Sequence, residues 1–175
     1  DLTPQNIVRQ HSLMIDGQLM LLDDVMRAHD LHRLMLDPCT RVSEICIDTL
    51  RVAETLGYTR AIGSGVCARG TCLAADRILL EFLRISVKTT SERLLSEVKL
   101  INNTDLTSSL ETSSTAIRQQ IDALLEMVDK HVLQRGQLKL DSHEYFTLST
   151  RAIDDVLKIF SIIIQYASKQ HTRMI

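Results

Sequence analysis

The sequence predicts an all-α protein: an elongated up-and-down antiparallel helical bundle of four to five long helices. Three observations carry that prediction. The 175 residues are 45% hydrophobic but only 3% aromatic, with no Trp, whereas sheet-rich folds favour aromatic and β-branched strands. Two prolines and six glycines leave few breaks in so long a chain. Apolar residues recur at threes and fours through runs of about 30 residues, each about 45 Å long at roughly 1.5 Å per residue. Similar lengths and short connections imply neighbours packed side by side in opposite directions. No repeat or linker divides the chain, so 1–175 reads as a single helical domain.

The first helix starts at Thr3 and Pro4, an N-cap followed by a first-turn proline. Ile7, Leu13, Met14, Leu21, Leu22, Val25, Met26 and Leu34 carry it to about Leu34. The stretch from Asp37 to Thr40 breaks it, and Thr40 and Ser43 are good N-terminal residues for the second helix. That helix carries Val42, Ile45, Leu50, Val52, Leu56, Ala61 and Val66, and ends at Arg69-Gly70-Thr71-Cys72. The third begins near Leu73 and holds Ile78, Leu79, Phe82, Leu83, Ile85, Leu94, Leu95, Val98 and Ile101. Residues 102–115, NNTDLTSSLETSST, form either a short break near 103–106 or a polar section of one very long helix. The NNTD run is poor helix and good cap chemistry, which favours a break or kink. A fourth run spans about 107–134, with Leu110, Ile117, Ile121, Leu124, Leu125, Val128 and Val132. Gln134 to Gln137 is the next turn. Asp141 or Ser142 caps the final helix, which runs to about 172 on Tyr145, Leu148, Ala152, Val156, Ile159, Ile163 and Tyr166.

Composition removes several function classes. The formal charge is −2, Lys and Arg are scattered, and there are almost no aromatics to stack on bases, so no nucleic-acid footprint is present. The longest aliphatic run, Ile162 to Ile164, is far short of a membrane span of roughly 20 residues. The chain opens DLTPQN, with no signal-peptide pattern. It has no Walker loop, no G-x-S-x-G and no paired acidic motif in a plausible cleft. Ser64 between two glycines resembles a nucleophile elbow, yet no strand precedes it. The expectation is therefore a non-enzyme without a cofactor. His29 and His32 sit three apart beside Asp23, Asp24 and Asp30, spacing that a bundle metal site would use. A di-iron bundle needs Glu-x-x-His on two helices, and that motif is absent. A solvated helix end is the simpler reading, and no metal is expected.

The stretch 57–72, GYTRAIGSGVCARGTC, concentrates four of the six glycines, two cysteines and two arginines. Each glycine inside a helix costs about 0.5–1 kcal/mol relative to alanine, so several together need a packing or binding reason. Gly63, Ser64 and Ala68 would form a flat patch for close helix approach. Arg60 and Arg69, nine apart, are candidates to clamp a carboxylate or similar anion bidentately. The alternative is a tight helix crossing with Arg60 paired to a neighbouring acid, which the sequence favours. Cys67 and Cys72 flank one end of the second helix, and Cys39 and Cys46 the other. Two local disulfides or four buried thiols are both open. Cross-pairing is disfavoured, because Cys46 and Cys67 would stand about 30 Å apart along one helix. Neither pair has the spacing of a zinc knuckle.

The motifs in LMLDPCTRVSEI (34–45) and AETLGYTRAIGSGVCARG (53–70) resemble the L-x-LDPD and LGxLRGxGSGxLA-type segments of a recurrent sensor region. That region lies outside the membrane in bacterial methyl-accepting chemotaxis proteins, with relatives in membrane-bound sensor kinases (histidine kinases) and diguanylate cyclases. HEYFTLSTRAIDDVLKIF (143–160), with Thr172 to Ile175, is similar to that region's last helix. The resemblance covers about 35–70 and 140–175. Cys39 departs from it, standing where Asp is common, as does Thr59, where Leu is usual. The resemblance implies a periplasmic sensor domain of an inner-membrane receptor, lacking here an N-terminal helix and the flanking membrane spans. It also implies a homodimer reading a small molecule or a periplasmic protein, with output through the terminal helix. On that reading Arg60, Ser64 and Arg69 are the ligand-binding candidates, and Tyr58 and Tyr145 add polar tips to a largely apolar pocket. The periplasm also fits the bridged reading of the cysteines. A helical protein–protein interaction module without a small-molecule ligand is the alternative. A large exposed apolar stripe on one helix would mark it.

Overall fold

A computed structural model describes residues 4–133, 138 and 140–174. Among these the protein is all-helical. Its long helices are α1 (Pro4–Ala28), α2 (Val42–Arg69), α3 (Ala74–Leu100), α4 (Thr104–Met127) and α5 (Ser142–Met174). No described helix is long and apolar enough to cross a membrane.

α1 stops at Ala28, six residues short of the predicted end. Asp30 adopts the left-handed conformation with φ 58°, tolerable for Asp but incompatible with helix propagation. A short 3-10 turn follows at Leu31–Arg33. The predicted cap at Thr3 lies outside the described residues. The break at 34–41 is organised differently from the prediction. Neither Thr40 nor Ser43 caps α2: the cap position is Arg41, with no side-chain cap bond. Asp37 instead ties the loop before α2, accepting hydrogen bonds from the backbone N–H groups of Cys39 and Thr40 at 2.8 Å each. It also accepts one from the N–H of Asn102, 65 residues away, at 2.9 Å. These donors, the Cys39 amide first, hold the Asp37 carboxyl below its ordinary value.

α2 ends at Gly70, whose φ of 66° is the left-handed C-terminal position that glycine adopts without strain. The Asn-rich stretch does break the chain. Asn103 caps α4, its side chain accepting from the N–H of Asp105 at 3.1 Å, while its amide donates to Leu36 O (2.7 Å) and to the Tyr166 hydroxyl (2.8 Å). One end of the molecule is thus tied by the 34–41 loop, the α3–α4 junction and α5. α4 continues into a π-helical turn at Val128–Val132. The predicted turn at 134–137 lies outside the described residues. Asp141 caps α5, accepting from His143 and Glu144 N–H at 3.3 Å each.

α2 is central. Its most extensive packing is against α5, and it also packs on α3 and α1, while α5 packs on α4. The seams close on fully buried aliphatics such as Leu56, Leu80, Leu94, Leu124 and Ile159, each worth about 1.5–3 kcal/mol of burial. Charged pairs flank them: Arg93–Asp48 at 2.8 Å between α3 and α2, and Arg84–Asp129 at 3.2 Å between α3 and the π turn.

Candidate functional site

The glycine-rich stretch serves two faces of α2. On the α5 side, Gly63 has no room for a side chain, since a Cβ there would fall within the ring of Tyr145. Tyr145 is fully buried, and its hydroxyl donates to the carbonyl of Thr59 at 3.1 Å. Burial pushes its phenol well above its ordinary range. Tyr145 is thus a core residue in the α2–α5 seam rather than a polar tip in a pocket. The flat patch reduces to Gly63, because Ala68 is exposed and Ser64 faces elsewhere.

On the other face, α1, α2 and α5 enclose a groove of about 730 Å³. Its walls are apolar: Ile7, Ile15, Leu19 and Leu22 from α1, Leu50, Ala53 and Ala61 from α2, and Phe146 and Ile153 from α5. Tyr58, Arg60 and Ser64, three of the predicted ligand residues, line it together. The Arg60 guanidinium lies 4.8 Å from the ring centroid of Phe146, a cation–π arrangement. One of its nitrogens donates to Thr150 Oγ1 at 3.0 Å. Arg60 makes no ion pair among the described residues, so the predicted pairing to a neighbouring acid is not what holds it. Ser64 Oγ is buried with no hydrogen-bond partner in the protein. Across the groove, Ser12 Oγ donates to Glu54 Oε1 at 2.7 Å.

Arg69 is elsewhere. It pairs with Asp76 across the α2–α3 turn, and Asp76, only 7% exposed, also accepts from the N–H of Leu73 at 3.2 Å. Arg69 therefore holds a turn rather than joining Arg60. The four cysteines are free. Cys46 is fully buried in α2 while Cys39 is exposed on the preceding loop, so the two thiols of that candidate bridge face different environments. Cys67 is buried and Cys72 half-buried. Burial pushes the Cys46 thiol up to about 12 and, with the Asp141 charge adding, that of Cys67 to about 11. His29 is exposed and His32 half-buried, and no cluster of three or more metal-ligating side chains exists among the described residues.

Phe146, Thr150, Ser12, Glu54 and His11 are site residues that sequence reasoning missed. Phe146 alone left a signal, as one of only three Phe, adjacent to a tyrosine already singled out. A second groove of about 790 Å³ lies between α1 and the first half of α2, but each of its arginines faces an acid. Arg27 faces Asp23 at 3.0 Å, Arg41 faces Glu44 at 3.2 Å and Arg51 faces Asp48 at 3.9 Å. Against that second groove, a cation without an ion pair among the described residues, set in an apolar wall, rather than volume, distinguishes the α1–α2–α5 groove. Comparison with protein-family models, with curated proteins and with solved structures finds no match for this chain.

Proposed function

We propose that the chain is the extracytoplasmic signal-sensing domain of a bacterial transmembrane receptor, a chemoreceptor or sensor kinase, and that the α1–α2–α5 groove is its ligand site. The observation that carries the reading is the convergence of Arg60, Tyr58 and Ser64 with Phe146 and Thr150 of α5. A ligand drawn to Arg60 would bear directly on the last helix, the element that such a receptor uses for output. Ligand contacts that differ between two positions of α5 would shift the balance between them. On this reading the domain is periplasmic, non-enzymatic and homodimeric.

The arrangement belonging to this proposal is an elongated up-and-down antiparallel bundle. The cross-helix pairs support it. Asp48 meets Arg93 while Arg69 meets Asp76, and Ser64 O meets Ser142 while Arg60 meets Thr150. In both seams the partner number rises as the α2 number falls.

The test is a receptor chimera carrying this chain between two membrane helices, with its signalling output measured as ligands are added. Ligands are first found by thermal shift, where a hundredfold excess over Kd stabilises by about 2.7 kcal/mol. Arg60→Ala is expected to weaken the response with an unchanged melt. An unliganded melt that collapses in that variant would instead make Arg60 a packing residue.

One observation favours the second reading, a helical protein-interaction module. On α3, Ile78, Phe82 and Ile85 are 70%, 65% and 58% exposed and recur at four and three residues, an apolar stripe on one helix face. Failure of every small molecule to bind, with loss of a protein partner on Phe82→Glu, would establish it.

A further inference from the structure

We infer that the ligand of the α1–α2–α5 groove is an amphipathic monocarboxylate, a small organic acid with one carboxylate and an extended apolar body. The inference rests on reading that groove as a ligand site and adds the chemical class.

The charge argument comes first. Among the described residues, Arg60 is the one Arg or Lys lining the groove. A guanidinium has five N–H donors, and one Arg60 nitrogen is bound to Thr150. The Phe146 ring beneath it and Thr150 beside it fix the fork without neutralising it. A carboxylate is the partner that matches such a fork with two parallel hydrogen bonds. Ser64 follows Arg60 by one helical turn and so lies beside it on α2. Its buried, unpartnered Oγ is the natural third donor to the same carboxylate, since a buried hydroxyl left without a partner costs about 1–3 kcal/mol.

The rest of the groove sets the body of the ligand. Away from Arg60 the walls include Ile15, Leu19, Leu22, Leu50 and Ile153, with the polar Gln18 among them, and these aliphatics reward an alkyl or aryl chain at about 25 cal/mol per Å² buried. A dicarboxylate would have no second Arg or Lys to meet. An α-amino acid would need an acid close to Arg60. The only acid lining the groove among the described residues, Glu54, stands six residues back, about 9 Å along the helix, and already accepts from Ser12. His11 also lines the groove, on α1 opposite; it lies beside Ser12 and Glu54 rather than beside Arg60 in the chain order of the two helices.

The test is isothermal titration of the 175-residue chain with octanoate, 1-octanol and octylamine. Octanoate is expected to bind saturably at one per chain, octanol at least tenfold more weakly, and octylamine more weakly still. Arg60→Gln should lose at least tenfold in octanoate affinity, Arg60→Lys should recover part of it, and Ser64→Ala should lose about threefold. Ala61→Trp is the second variant. Ala61 is exposed and lines the groove, so the indole fills the space without disturbing the core, and octanoate binding should vanish even if Arg60→Gln fails to fold. Equal binding of octanol and octanoate, or full octanoate affinity in Arg60→Gln or Ala61→Trp, overturns the inference. A dimer that Ala61→Trp breaks and octanoate leaves intact also overturns it, by giving the groove to a second copy. The two readings fail separately. Arg60-dependent octanoate binding with a silent receptor chimera keeps the ligand class and sinks the sensor. A chimera that answers only to another class of compound, blocked by Ala61→Trp, keeps the sensor and sinks the monocarboxylate.

Discussion

The two faces of α2 between Tyr58 and Val66 differ in one respect that decides what each can do. On the α5 face, Thr59, Ile62, Gly63 and Val66 are buried, and each polar group is matched. Thr59 Oγ1 donates to Thr55 O at 2.8 Å, and its own carbonyl receives the Tyr145 hydroxyl. On the α1 face, Arg60 lacks an anion and Ser64 Oγ lacks a partner. The seam is shut because glycine admits an aromatic ring. The groove is open because α1 leans on α2 and touches α5 little. The closed seam and the open groove are thus separated by a rotation about one helix axis, and residues one apart in sequence belong to different surroundings.

The comparison breaks most visibly at Tyr145. Tyr145→Ala should cost about 3–5 kcal/mol of stability, the range for emptying a buried aromatic site, read as a fall in the urea midpoint. A loss under about 1 kcal/mol would mean that the seam is not shut. Gly63→Ala comes next, at about 1–3 kcal/mol, because the ring must move to admit a methyl group. The buried thiols give a smaller, pH-dependent effect. Folded Cys46 and Cys67 stay protonated to about 12 and about 11, whereas unfolded thiols ionise around 9.0. The thiols' contribution to stability is therefore level below pH 9.0 and declines above it, as the unfolded chain alone releases protons. Iodoacetamide should label exposed Cys39 first and Cys46 last, by mass spectrometry of the native protein. The smallest effect belongs to the groove. Tyr58→Phe should change stability by no more than about 0.5 kcal/mol, and a large loss would place Tyr58 in the packing rather than the site.

The helices themselves were legible because periodicity and breakers are local signals. Gly70 ended α2 and the Asn pair split α3 from α4 as the sequence predicts. The site was half legible. Arg60, Tyr58 and Ser64 could be singled out, since glycine-rich helix and arginine are unusual neighbours. Arg69 was grouped with them by composition, although Asp76 claims it. What escaped were partners remote in sequence: Tyr145 for Gly63, Thr150 for Arg60, and Asn102 for Asp37. Thr40 and Ser43 were credited with capping for the same reason. Their spacing fits, but the Thr40 hydroxyl turns back to donate to Asp37 at 3.2 Å and the cap position falls on Arg41. That arrangement should be acid-sensitive. With its folded value lowered, Asp37 contributes fully above its ordinary 3.8 and loses that contribution as pH falls through the lower value.

The bond from Asn103 to the Tyr166 hydroxyl gives α5 a fulcrum. Thr150, where Arg60 takes hold, lies sixteen residues away, about 24 Å along the axis. A piston stroke of α5 must break that bond, whereas a tilt about Tyr166 preserves it. Such a tilt works against the Tyr145 ring on Gly63 and its bond to Thr59, and the turns beyond Tyr166 then swing in the sense opposite to the groove end, as the short arm of a lever does.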